Sequence, residues 1–161
     1  MEADNGAGVA PRTFYVDVLL ILERDGRVLL AERSGTGYAD GAFNLPSGKL
    51  EPGEDVVGAV IREAREEIGV HIERDAVRAV HVMHHRSPEG QTRVGWFFTA
   101  DRYEGEPYNA EPHKCAGLLW APIDQLPAST WPYTAAGIAQ YRAGSPFSLH
   151  GFGFTPEPAA V

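Results

Sequence analysis

Glu63, Glu66 and Glu67 stand at i, i+3 and i+4, the spacing that puts side chains on one face of an α-helix. Like charges so placed repel one another by about 0.2–0.5 kcal/mol per close pair. Such an arrangement has two explanations. One is a solvated, salt-bridged surface helix, in which Arg62 and Arg65 offset the negative charge. The other is a set of hard oxygen donors converging on Mg²⁺ or Mn²⁺, ions that take carboxylates, carbonyls and water.

The neighbouring sequence bears on the choice. Val57, Val60, Ile61, Ala64 and Ile68 form an apolar stripe at helical spacing beside the carboxylates, so the helix packs on something. Its predicted span is 55–68, with Gly69 in the position that closes helices and Glu54 just before the start, where a carboxylate suits the helix dipole. Leu45-Pro46-Ser47-Gly48-Lys49 reads as a tight turn feeding this helix through Glu51-Pro52-Gly53-Glu54. Gly48 there lets backbone come close to a ligand, with a turn carbonyl facing a metal.

From Gly48 the order is five residues, Glu54, seven residues, then Arg62-Glu63-Ala64-Arg65-Glu66-Glu67-Ile68-Gly69-Val70. This resembles the Nudix box, the signature of the Nudix hydrolases, at every fixed position; Ala64 is a small choice where the family usually carries a larger aliphatic residue. The resemblance extends over about residues 14–142 and is nearest the small MutT-like group, with an actinobacterial flavour. It implies a Nudix-type α/β/α sandwich with a mixed β-sheet.

The same resemblance implies roles. Glu66 and Glu67 match the adjacent metal-binding glutamates of the box, and Glu63 a further ligand or base. The Ser47 carbonyl matches an additional ligand. Arg62 matches the arginine that orients a carboxylate, here Glu54, by a charge-assisted bond. Gly48, Glu54 and Gly69 are structural. Glu111, in the acidic segment 104–111, aligns with a distal metal or base carboxylate of the MutT-like group; otherwise it belongs to an ordinary acidic loop. Arg33 aligns with a nucleotide-holding arginine and Lys49 is assigned to substrate, although a surface role suits Arg33 nearly as well. The implied activity is Mg²⁺- or Mn²⁺-dependent hydrolysis of a pyrophosphate bond, with a nucleoside triphosphate as the leading substrate. The alternative is a non-catalytic nucleotide-binding regulatory domain, a class that commonly loses box glutamates; this chain keeps them. Isopentenyl diphosphate isomerase shares the fold but uses a catalytic cysteine within a pattern missing here.

The elements that position these residues read as an alternation: strands at 14–23 and 27–32 joined by a hairpin turn at Asp25-Gly26, a Gly-rich loop at 34–42, an extended piece at 43–45, the helix, strands at 77–85, 92–100 and 118–123, and a last helix at 133–142. Interspersed strands and helices are the pattern of an α/β (α+β) domain with a mixed sheet between helices. The expected division is a mobile tail at 1–12, one domain at 13–143 and an irregular tail at 144–161.

Composition narrows the function class. Lys and Arg number 14 against 22 Asp and Glu, a formal net charge of −8, which disfavours a nucleic-acid backbone as partner but not a phosphorylated ligand reached through metals. No apolar run is long enough for a membrane span, no secretory signal is evident, and a single cysteine, Cys115, suits a reducing cytoplasm. The expected partner is a small nucleotide, with the chain monomeric or homodimeric. His81, His84 and His85 lie on one strand, His81 and His85 facing one way; a zinc site would need a partner such as Cys115, far off in sequence. Trp131 and Tyr133 suit either packing or stacking on a base.

Overall fold

The computed structural model describes residues 14–153. The expected tail at 1–12 lies outside them, as does the end of the expected tail at 144–161.

The apolar strand β1 (Tyr15–Ile21) runs through the middle of the molecule. Its alternation splits the core in two. Val18 and Leu20 face one way and are packed with Ala59, Val60, Ala64 and Ile68 of helix α1 (Val56–Ile68). Leu19 and Ile21 face the other way, with Tyr133 and Ile138 of helix α2 (Pro132–Arg142). The helices therefore lie on opposite faces, as the α/β/α expectation requires.

After Leu22 the chain leaves this sheet. Strand β2 (Glu23–Arg24) turns at Asp25-Gly26 and pairs antiparallel with β3 (Arg27–Arg33). The expected hairpin is thus confined to its tip. The first strand does not return on itself, because its edges are taken by β5 (Ser47–Lys49), antiparallel, and β7 (Thr92–Ala100), parallel over the whole of β1. Strand β3 pairs β8 (Cys115–Pro122) along one edge and β4 (Phe43–Asn44) on the other.

Two readings change. The segment 45–49 is not a tight turn: Ser47–Lys49 is strand, and the Pro46 carbonyl accepts the Leu20 N–H at 2.9 Å. A proline costs nothing at the outset of an edge strand, where its missing N–H has no ladder partner to lose. Nor are the described residues after Ser145 all irregular. Strand β9 (Phe147–His150) runs parallel to β6 (Val77–Arg86) and extends the first sheet, whose order is β5-β1-β7-β6-β9. The attachment uses the histidines of β6. His81 sits between the Ser145 carbonyl (2.6 Å) and the Ser148 hydroxyl (2.8 Å), and His85 Nδ1 lies 2.9 Å from His150 Nδ1. Four residues flanked by Gly and Pro carry too little periodicity to read as a strand; the partner edge makes them one. This seam also accounts for the histidine cluster, and no group of three potential ligands among the described residues forms a zinc site.

Candidate active site

Helix α1 has definite ends. The Asp55 side chain accepts the Gly58 N–H at 2.8 Å, and Gly69 closes the helix at φ +67°. These caps set which face the carboxylates occupy. Ala64 is fully buried against the sheet, so its small size lets the helix lie close.

Strand β5 lies beside the helix, and its residues meet the glutamates directly. The Ser47 N–H donates to Glu67 Oε2 at 2.9 Å. At Gly48 the point is space: a Cβ there would fall 1.9 Å from Glu63 Oε1. The glycine admits the Glu63 carboxylate itself, where the sequence reading had it admit a ligand.

Arg62 organises the acids. Its guanidinium donates to Glu54 at 2.7 and 3.0 Å, as the resemblance implied, and to Glu63 Oε1 at 2.7 Å and the Lys49 carbonyl at 3.2 Å. It also reaches Glu66 at 3.4 Å. Hydrogen bonds from Arg62 hold the Glu54 carboxyl below its ordinary range.

Glu111 comes from far along the chain, and the structure shows how. The segment 104–111 is pinned to the end of α1: the Tyr108 and Ala110 N–H groups donate to the Ile68 and Glu67 carbonyls, both at 3.1 Å. The Tyr108 ring covers Gly69 so closely that a Cβ there would lie 2.1 Å from it. The acidic segment is thus seated against the helix end. Glu111 ends it, beside Lys114 at 3.3 Å.

Glu63, Glu66, Glu67 and Glu111 all line one cavity of about 720 Å³, together with Arg62 and Arg33. Arg33 is held at its edge, Nε donating to the Tyr38 carbonyl at 2.6 Å and to Thr36 Oγ1 at 3.0 Å. Burial raises the Glu63 carboxyl, and burial pushes Glu67 up to about 8, against the lowering effect of the Ser47 N–H; nearby Glu63 and Glu111 add to the rise.

A group of hard oxygen donors crowded enough to retain a proton suits a divalent cation, which would relieve the repulsion and displace the proton. Among the described residues no three such side chains are gathered around one point, since Arg62 engages Glu63 and Glu66 and the Ser47 N–H engages Glu67.

Among the lining residues that sequence reasoning did not assign to the site are Asn44, Lys114 and Cys115. Asn44 accepts hydrogen bonds from Thr134 and the Leu45 N–H, and its amide donates to Ser47 Oγ at 3.2 Å. Lys114 supplies a cation near Glu67. Cys115 also lines the cavity, but burial raises its thiol, which keeps it protonated and a poor nucleophile. None carries a local sequence signal; pairing of β3 with β4 and β8 brings them in.

The NUDIX domain family matches residues 11–141. The chain belongs to the Nudix family. This Nudix hydrolase is 25% identical to the 8-oxo-dGTP diphosphatase of Escherichia coli over 126 residues, covering 77% of this chain and 95% of that one. It is 43% identical to the CTP pyrophosphohydrolase of the same organism, over 53 residues that are 33% of this chain and 39% of that one. Among solved structures, the MutT Nudix hydrolase of Burkholderia pseudomallei superposes with a TM-score of 0.72 at 32% identity, over 80% of this chain and 98% of that one. Enzymes of this family generally use divalent metal ions. No helix among the described residues is long and apolar enough to cross a membrane.

Proposed function

We propose that this Nudix hydrolase cleaves a pyrophosphate bond in a nucleoside triphosphate, with Mg²⁺ or Mn²⁺ held by Glu63, Glu66, Glu67, Glu111 and the Ser47 carbonyl. One observation carries the reading: four carboxylates line a cavity of about 720 Å³, a size that admits a nucleotide. The relatives named for 8-oxo-dGTP and CTP support the substrate class.

The metal, when bound, supplies charge neutralisation at the phosphates and a more acidic water. The protein does the rest by position. A glutamate of the group takes a proton from water as its oxygen bonds to phosphorus, and the bond from phosphorus to the bridging oxygen breaks in line. Arg62 keeps Glu54 and Glu63 oriented throughout, a charge-assisted role. Arg33 stands at the cavity edge, where a cation meets the phosphate chain.

The substrate is a small nucleotide and the setting the cytoplasm, with one or two copies of the chain in the working enzyme. The test is release of pyrophosphate or phosphate from a nucleotide panel with Mg²⁺ and with EDTA. Metal-dependent release from at least one nucleoside triphosphate is expected; no release from any nucleotide would sink the reading.

A further inference from the structure

A second cavity, of about 340 Å³, adjoins the first, and Arg33 and Asn44 line both. The two differ in charge. The first carries the carboxylates of Glu32, Glu51, Glu63, Glu66, Glu67 and Glu111 against the cations Arg33, Arg62 and Lys114. The second carries Arg33, Lys49 and Arg93 against Glu89 alone. In a chain of net charge −8, a cationic hollow next to an acidic one is a local feature and not a drift of composition.

We propose that the second cavity binds a further phosphate on the nucleoside half of the substrate, one esterified to the sugar at its 3′ position, and does so without metal. This rests on the reading that the first cavity holds the pyrophosphate.

The cations of the second cavity are differently engaged. Arg93 is tied to the buried Asp17 at 3.1 Å, which offsets part of its charge. Lys49 has no carboxylate within ion-pair distance among the described residues. Its Nζ rests 4.2 Å from the centre of the Tyr15 ring, and the Arg93 guanidinium lies 5.6 Å from the same ring. Both cations lie against the one ring, and an anion bound beside them offsets their mutual repulsion. The exposed lysine has the reach to close on such a group. Glu89, the lone acid, lies on the exposed turn between β6 and β7, with its carboxylate hydrogen-bonded to Ser87.

The other wall is aromatic. Tyr38 and Trp131 meet edge to face at 5.7 Å, and Tyr133 completes the lining. A base can lie against these rings while a sugar phosphate turns toward Lys49. The first cavity, being acidic, needs metal to attract phosphate; the second attracts phosphate directly.

Calorimetry in EDTA tests this with two probe pairs: adenosine 5′-monophosphate against adenosine 3′,5′-bisphosphate, and the guanosine pair. In at least one pair the bisphosphate should bind about tenfold tighter or more, the scale of one charge-assisted hydrogen bond. Lys49→Met should reduce that preference to within about twofold and Lys49→Arg should retain it, with circular dichroism confirming that both variants fold. Equal binding within both pairs, no binding at all, a preference that needs Mg²⁺, or a preference that survives Lys49→Met would each overturn the proposal. Because binding in EDTA involves no turnover, a failure of the hydrolysis reading would be seen separately.

Discussion

Gly48 and Glu63 are so close that a single added carbon would collide with the carboxylate, 1.9 Å from Oε1 and 2.1 Å from Cδ. The glycine of the strand and the glutamate of the helix are therefore one structural unit. Gly48→Ala should displace the end of a flexible side chain and leave the backbone intact. The expected outcome is a melting temperature within a few degrees of the parent, but activity lower by about tenfold to a hundredfold, the range seen when groups that orient metal ligands are lost. Kinetics within twofold of the parent would show that Glu63 need not sit where it does.

Arg62 donates to three side chains and one carbonyl, so its loss should be felt at several acids at once. Arg62→Lys keeps the charge but not the fork of donors. Metal affinity and kcat should both fall by about tenfold to a hundredfold. Steady-state kinetics over a Mg²⁺ series would measure this, and an unchanged half-saturation for metal would contradict the orienting role.

Glu111 reaches the cavity from a segment seated against the end of α1 by the Tyr108 and Ala110 N–H groups. If it serves as ligand or base, Glu111→Gln should lower kcat by roughly a hundredfold, a typical general-base contribution. KM should change much less, because the interaction matters chiefly in the transition state. Turnover within a few-fold of the parent at saturating Mg²⁺ would leave proton transfer to the box glutamates.

Glu67 makes the metal-free protein sensitive to pH. Its folded-state carboxyl is raised to about 8 by burial, above the ordinary carboxylate value, so the folded state holds the proton more tightly than the unfolded chain. The resulting stability is fully present below about 4.5 and lost as pH rises through about 8. In EDTA, melting curves of the parent should therefore decline across this window relative to Glu67→Gln, which carries no titrating group there. Parallel curves for the two proteins would contradict the assignment.

Much of this site is legible in the sequence because its chemistry sits on one short helix with regular periodicity. The predicted span of 55–68 differs from Val56–Ile68 only in counting the Asp55 cap as helix, and the pairing of Arg62 with Glu54 matches the implied role. What was not legible depends on partners distant in the chain. The strand Phe147–His150 exists because β6 offers an edge, with His81 and His85 ready to bond it. Asn44, Lys114 and Cys115 reach the cavity through the register of β3, β4 and β8, which no local pattern encodes. The role of Gly48 was misread for a related reason: its neighbour is a side chain from the helix, which sequence spacing does not place at atomic distance.

The claim on which the rest depends is that the acidic face of α1 is a cation site, and calorimetric titration with Mn²⁺ tests it most directly. The parent should bind, and Glu67→Gln should bind about tenfold more weakly or not at all, since it removes a charged hard oxygen donor while keeping the side chain's shape. Equal affinity in the two proteins would show that Glu67 holds no metal and would contradict the account.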